Sequence, residues 1–296
     1  MDRPRLGFIG AGVVGTALAR LLSDAGYTVV ALTSRSADRR ATLAERIPEA
    51  RAVSTPQEVA DVADLVFLTV TDDAIEALAA SIAWPSGRAA VHCSGVASRD
   101  LLEPAKAAGG HIGVFHPLQT FANADQAERN MPGSAFGIEA SSDELLGILR
   151  EMASSLGGTP LVVSSEKAIY HASAVIASNY LVTLLDIAAS LWVSLGSTRE
   201  EGLRALLPLV RGTVENLESV GLPNALTGPI ARGDLGTIEQ HLAALRRVAA
   251  DTVPVYKELA RRTIPIGRAK GGLTEKAAHK LAAILDRPSE GGRSCE

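Results

Sequence analysis

The sequence predicts a doubly wound α/β domain followed by an all-α domain. Three observations predict it. Short apolar runs alternate with helical stretches over residues 1–163, the strand signal stops after Val163, and Ala/Leu-rich helical pattern fills most of what remains. Strand–helix alternation of this kind implies parallel strands covered on both faces.

The strand candidates, in order, are Leu6–Ile9, Thr28–Leu32, Ala52–Val53, Leu65–Thr69, Ala89–His92, Ile112–Phe115, Ala135–Ile138 and Pro160–Val163. Helices such as Val14–Ala25 and Asp143–Leu156 lie between them. Beyond residue 163 a single long helix is expected over Glu166–Leu195, then helices near Arg199–Val220, Thr237–Arg246, Thr252–Arg262 and Thr274–Leu285. The organisation read from this is a first domain over 1–163, a helical domain over 164–286, and a Pro/Gly/Ser-rich disordered tail over 287–296.

Composition narrows the function. Of the 296 residues 47% are hydrophobic but only 4% aromatic, so a large core must be built mainly from Ala, Val, Leu and Ile. A net charge of -4 and no clustered basic face argue against a nucleic-acid binder. Cys93 and Cys295 are far apart and suit neither a disulfide framework nor a metal site. No uninterrupted apolar run reaches a bilayer's thickness and the N-terminus lacks a signal-peptide layout. A cytoplasmic protein without membrane or metal partners is expected.

The strongest motif is GFIGAGVVG, which reads Gly10-x-Gly12-x-x-Gly15 between the first strand and the first helix. In that context Gly10 permits the tight turn, Gly12 lets backbone approach a pyrophosphate, and Gly15 lets helix and strand pack. The backbone of Val13 and Val14, opening the helix, offers free N–H groups to phosphate. This is the fingerprint of a Rossmann dinucleotide-binding domain. The second strand ends in Thr33-Ser34-Arg35-Ser36, with no carboxylate before Asp38 to hold a ribose 2′-hydroxyl. Ser34 and Ser36 can bond a 2′-phosphate instead, and Arg35 can grip it bidentately, with Arg39 or Arg40 assisting. The implied cofactor is NADPH. The alternative at these positions is an ordinary solvated basic turn.

Ligands of open α/β sheets bind at the carboxyl ends of the strands. The tips in question carry Thr69-Val70-Thr71-Asp72, His92-Cys93-Ser94-Gly95 and Phe115-His116-Pro117-Leu118-Gln119-Thr120. Val70 and Thr71 are expected to edge the cofactor, and Ser94 and His116 to meet substrate. His92 and His116 could equally order their loops. In the second half, Lys167 and His171 are four residues apart and share a helix face. Ser178 extends that stripe and Asn179 lies roughly 120° from Lys167 on a continuous helix. Lys167, His171 and Asn179 are the catalytic candidates. Spacing does not decide whether Lys167 or His171 gives the proton, and Lys167 could also merely snorkel to water. Arg232, in Leu226-Thr227-Gly228-Pro229-Ile230-Ala231-Arg232-Gly233-Asp234, could hold a substrate carboxylate or pair with Asp234.

GFIGAGVVG, the HCSG and FHPLQTF tips, the KAIYHASAVIASNY helix and LTGPIARGD together resemble a bacterial family. Its members carry a Rossmann-like domain and a C-terminal helical domain of unassigned function, and the resemblance spans residues 5–285. The family is similar to the 6-phosphogluconate-dehydrogenase-like superfamily, which includes ketopantoate reductase, pyrroline-5-carboxylate reductase, prephenate dehydrogenase and hydroxyisobutyrate dehydrogenase. The resemblance implies a catalytic Lys at Lys167. It departs from the superfamily's pattern at the following turn, where His171 stands in place of Asn. The HPLQ segment is similar to the HPM segment of prephenate dehydrogenases, whose His contacts substrate, and this implies the same for His116. It further implies NADP-dependent reduction of a small acid, ketopantoate first, and a homodimer formed through the helical domain around Val175–Leu191. Imine reduction, a deazaflavin-linked NADP reductase and a non-catalytic NADP(H)-binding regulator are the competing readings.

Overall fold

In the computed structural model, which describes residues 3–163 and 166–287, the first part of the chain forms one eight-stranded sheet. Its elements run β1 Leu6–Ile9, α1 Val13–Asp24, β2 Val29–Thr33, α2 Ala37–Arg46, β3 Arg51–Ala52, α3 Pro56–Val62, β4 Leu65–Leu68 and α4 Ile75–Ala80. They continue with β5 Ala89–His92, α5 Glu103–Ala107, β6 His111–Pro117, α6 Ala124–Asn130, β7 Ala135–Ala140, α7 Asp143–Ser155, β8 Thr159–Val162 and α8 Lys167–Ala177. The strand order is β3-β2-β1-β4-β5-β6-β7-β8, parallel except where β7 runs against β6. This is the doubly wound architecture expected. The order reverses between β1 and β4, so the switch-point crevice opens beside the glycine loop.

The strands are buried because helices cover both faces. One layer of core packs α1, α6 and α7 on the sheet, and the other packs α3, α4 and α5. Few aromatics are present, yet four phenylalanines meet in the first layer. Phe8 stacks on Phe67 at 4.9 Å, Phe67 meets Phe115 edge-on at 6.0 Å, and Phe115 stacks on Phe136 at 4.7 Å. All four are fully buried, so they tie β1, β4, β6 and β7 together by area and by ring geometry.

Contacts divide the chain into two units, Met1–Ser178 and Asn179–Glu296. The division falls later than the change of class after β8, because α8 is tied to the sheet by side chains described below. The second unit is helical: α9 Asn179–Ser190, α10 Arg199–Val220, α11 Pro229–Arg232, α12 Leu235–Val248, α13 Val253–Lys270 and α14 Glu275–Asp286. Its core is aliphatic, centred on Ile238, Leu242, Leu281 and Leu285. Thr198 with Glu201 forms a capping box at α10, and Asp234 caps α12.

Two expectations change. The helix foreseen over Glu166–Leu195 is interrupted at Ser178, a distorted turn residue (φ -112°) between α8 and α9. Ser and Asn at 178 and 179 offer the backbone competing hydrogen bonds, which suits them to a break better than to a helix interior. Angular spacing from Lys167 therefore does not carry through to Asn179. Second, the segment Lys167–Leu195 is long and apolar enough, by length and composition alone, to cross a membrane. Counting uninterrupted apolar letters missed it, because scattered Ser, Thr and Asn dilute the run without ending it. The expected tail, beyond Arg287, lies outside the described residues, as does Cys295.

Candidate functional site

The tips of β1, β2 and β4 enclose a cleft of about 580 Å³, within the range of small-molecule sites. Gly10, Gly12, Ser34, Arg35, Ser36, Val70 and Thr71 all line it, as does Arg39. The three glycines serve distinct physical ends. Gly10 has φ +115°, and a Cβ there would stand 2.4 Å from the Thr69 carbonyl oxygen. At Gly15 a Cβ would meet Thr69 Oγ1 at 2.3 Å and the Gly10 carbonyl at 2.5 Å. Gly12 differs: a Cβ would find only the Thr69 oxygen, at 3.9 Å. Its missing side chain relieves no crowding inside the protein and instead leaves the cleft open to a ligand.

Val13 and Val14 open α1, and no side chain caps that helix at Gly12. Its first N–H groups are left for an anion. Thr69 was expected at the crevice as part of its strand tip, without a role of its own. Its hydroxyl donates to the Gly10 carbonyl at 2.8 Å and pins the tip of β4 to the glycine loop. Its only signal in the sequence is a hydroxyl residue at a strand end.

On the β2 side, Ser34 is half-buried while Arg35, Ser36 and Arg39 are exposed. Arg35 has no ion pair among the described residues. Ser36 caps α2 by accepting the Arg39 backbone N–H at 3.2 Å, which leaves its hydroxyl proton free to donate outward. Arg40 turns the other way and donates to the Ser34 carbonyl at 3.1 Å, holding the loop rather than facing the cleft. This donor set and the open face at Gly12 suit a dinucleotide carrying a 2′-phosphate.

The second part of the site continues from the first through the backbone. Thr71 lines the cleft, and the next residue, Asp72, accepts the Ser94 hydroxyl at 2.7 Å. Ser94 is buried, and its oxygen also accepts the Val96 and Ala97 N–H groups. One donor and two acceptor sites are thereby all used. Ser94, expected to touch substrate, instead builds the loop after β5. His92 resolves the same way: Nε2 donates to the Ser98 carbonyl at 3.2 Å, and Nδ1 accepts the Ser94 N–H at 3.2 Å. Burial pushes its pKa down to about 4, so it is a neutral loop organiser.

His116 is different. Its Nδ1 lies 3.0 Å from the Tyr170 hydroxyl, and the rings meet edge to face at 5.7 Å. Its Nε2 has no hydrogen-bond partner among the described residues. Burial pushes this imidazole down to about 4, with the charges of His171 and Lys167 adding to that and Asp72 opposing it. Gly95 lies against the ring, where a Cβ would stand 2.7 Å from Cε1.

Strand pairing explains how α8 docks here. His116 pairs with Gly137, and Glu139 follows two residues on, so all three share one face of the sheet. Lys167 lies over Glu139, with Nζ–Oε1 2.9 Å, and also donates to the Ala97 carbonyl at 2.6 Å. Both partners are largely buried, so Lys167 does not snorkel to water; it is a strut, hydrogen-bonded to Ala97 and ion-paired with Glu139. Tyr170, one turn on, lies over Gly137, where a Cβ would come 2.7 Å from its oxygen. Glu139 and Tyr170 were missed. The signals were present: a lone acid in an apolar strand, and an aromatic three residues after Lys167.

His171 is half-buried and makes no side-chain hydrogen bond among the described residues. Asn179 and Arg232 belong to the second unit and are exposed. Asp234 does not pair with Arg232; its carboxylate takes the Thr237 backbone N–H at 3.0 Å and hydroxyl at 2.7 Å. Among the described residues no cluster of ligating side chains suits a metal ion.

Comparison with known proteins agrees with this geometry. Residues 5–93 match a family described as NADP oxidoreductase, coenzyme F420-dependent, and residues 134–263 match a domain of unknown function, DUF2520. No curated protein matches the chain. Among solved structures, a Bacteroides fragilis protein described provisionally as an NADP oxidoreductase is 27% identical, at a TM-score of 0.67. The match covers 89% of this chain and 98% of that one. A Thermotoga maritima protein is 25% identical at 0.71, over 89% and 99%. The 1-pyrroline-5-carboxylate reductase of Streptococcus pyogenes shares the fold at 18% identity and 0.61, over 96% and 100%. The fold and the glycine loop place the chain in the class of NADP-dependent oxidoreductases. Its N-terminal part is NADP oxidoreductase-like, and its C-terminal part matches the domain of unknown function.

Proposed function

We propose that the protein is a cytoplasmic reductase that uses NADPH to reduce a small carboxylate-bearing carbonyl compound, with ketopantoate the first substrate to try. The observation that carries this reading is the continuity from the cleft at Gly12 and Thr71, through Asp72 and Ser94, to the open Nε2 of His116. Val13, Val14 and Gly15 present α1 to the pyrophosphate, while Ser34, Arg35 and Ser36 hold the 2′-phosphate. Val70 and Thr71 flank the nicotinamide half. Bound there, NADPH supplies a hydride.

His116 holds the substrate's reacting oxygen. His171, which has no competing side-chain hydrogen bond among the described residues, gives the proton, and Lys167 lends positive charge. The apolar face exposed along α9 and α10, including Tyr180, Val182 and Leu209, is assigned to a second copy of the chain. Val182→Asp is expected to yield monomers by light scattering; an unchanged mass for the variant and the parent would remove this face from the interface.

The central test is loss of NADPH absorbance with a panel of 2-oxo acids and cyclic imines. Turnover of ketopantoate that disappears in His171→Ala, with NADPH binding retained, is the expected result. Turnover of imines alone would move the reading to imine reduction, the chemistry named for fold relatives such as the Streptococcus pyogenes enzyme. Tight NADPH binding with no turnover on any compound would make the protein a regulator.

A further inference from the structure

We infer that Tyr170 is a positioning residue that fixes the tautomer of His116, so that a neutral imidazole presents Nε2–H to the substrate as a hydrogen-bond donor. The inference rests on the assignment of His116 to the substrate, and concerns how that contact is made.

The geometry sets the direction of the hydrogen bond. Among the described residues His116 is the hydrogen-bond partner of the Tyr170 hydroxyl. The hydroxyl proton of this half-buried side chain then needs an acceptor, and His116 Nδ1, at 3.0 Å, is the one within reach. Were Nδ1 protonated, its N–H would occupy the phenol oxygen and the hydroxyl proton would be left without an acceptor among the described residues, at a cost. Nδ1 therefore accepts, and the ring proton sits on Nε2.

Three further contacts hold the ring in place. Gly95 leaves no space on one side, since a Cβ there would come within 2.8 Å of Nε2. The edge-to-face packing on Tyr170 fixes the plane. The third is indirect: Lys167, bonded to Glu139 and to the Ala97 carbonyl, anchors the first turn of α8 and with it Tyr170. A neutral donor suits the task because it stabilises charge growing on a substrate oxygen without surrendering its proton, which leaves proton transfer to a separate group. His92 makes an instructive counterpart. It has the same protonation state, but both of its nitrogens are spent on backbone, so it has nothing to offer a substrate.

The test is nitrogen NMR of the full-length protein labelled with ¹⁵N-histidine, in the parent and in Tyr170→Phe. The parent should show His116 with a protonated Nε2 and an Nδ1 resonance displaced by an accepted hydrogen bond. In the variant that Nδ1 resonance should move to the position of an unbonded imine nitrogen. With ketopantoate, the variant's KM should rise roughly tenfold, the size of one neutral hydrogen bond misaligned, while NADPH affinity stays within about twofold. A protonated Nδ1 in the parent, an Nδ1 resonance unmoved by the substitution, or an unchanged KM would each overturn the inference. Because the parent spectrum alone reports the tautomer, a poorly folding variant does not rescue it. Absence of turnover in the parent would count against the reductase reading, while the spectra still decide the tautomer.

Discussion

The two ends of the ligand crevice are built from opposite materials. At the β1–β2–β4 tips the site is made of backbone and missing side chains: three glycines, an uncapped helix end and a few exposed hydroxyls and guanidinium groups. At the β5–β6–β7 tips it is made of buried and half-buried polar side chains that pair with one another across several chain segments. The first kind tolerates almost no added atoms but is readable from local sequence. The second tolerates changes of size but depends on every partner being present.

That contrast predicts a graded set of outcomes. Substituting Gly15 by Val should cost stability outright, by about 3 kcal/mol or more, because the added atoms meet Thr69 Oγ1 and the Gly10 carbonyl. Gly12→Ala, three residues earlier in the same motif, should leave the denaturation midpoint nearly unchanged and weaken NADPH more than about tenfold, since its Cβ fills ligand space. Equal loss of stability in both would erase the distinction between packing and approach glycines.

The next effect is at the other end. Glu139→Gln leaves a largely buried ammonium without its counter-charge and should cost about 2–4 kcal/mol in chemical denaturation. The double variant Lys167→Met, Glu139→Leu should recover most of that loss, because an apolar pair carries no desolvation penalty. If the single change proved neutral, the strut described for α8 would be wrong.

Arg35→Ala should weaken NADPH by about 1.5–3 kcal/mol and leave NADH nearly untouched, as calorimetry with both nucleotides can show. A matching loss for the two cofactors would place the 2′-phosphate elsewhere.

The smallest effect concerns pH. His92 and His116 have folded pKa values pushed to about 4 from an ordinary 6.5. Between those values the unfolded chain binds protons that the folded chain refuses, so stability is complete above about pH 6.5 and declines as pH falls toward 4. At one pH unit below the ordinary value the loss is about 1 kcal/mol per group. His92→Gln should flatten the thermal midpoint between pH 7 and 5.5, whereas an unchanged slope would show the imidazole charging in place. Asp64, held near 2 by its bond to Arg5, loses its contribution only in stronger acid and does not confuse this window.

Much of the first end was legible because its physics is local. A glycine spacing after an apolar strand implies a turn and a helix start wherever it occurs, and the absence of an acid after β2 is visible without any coordinates. The eight strands were legible for the same reason, through short β-branched runs. The second end was legible only as a set of names. Ser94 looked like a substrate contact because it sits at a strand tip, and His92 could be read as a contact or a loop organiser; the hydrogen-bonding capacity of both is consumed by neighbouring loop groups. The helix arithmetic that joined Lys167 to Asn179 assumed a continuous α-helix, and Ser178 breaks it.

What the sequence by itself determined is therefore the doubly wound sheet, the all-helical second part and a dinucleotide loop suited to NADPH. These follow from periodicity, steric freedom at glycine and the chemistry of adjacent residues. Only the tertiary structure decided that Lys167 is bonded to Glu139, that Tyr170 lies on Gly137 against His116, and which histidine keeps a nitrogen free. Those facts depend on the antiparallel register of β6 and β7 and on where α8 lands. A register between strands about twenty residues apart is set by packing of the whole core, and no local pattern encodes it.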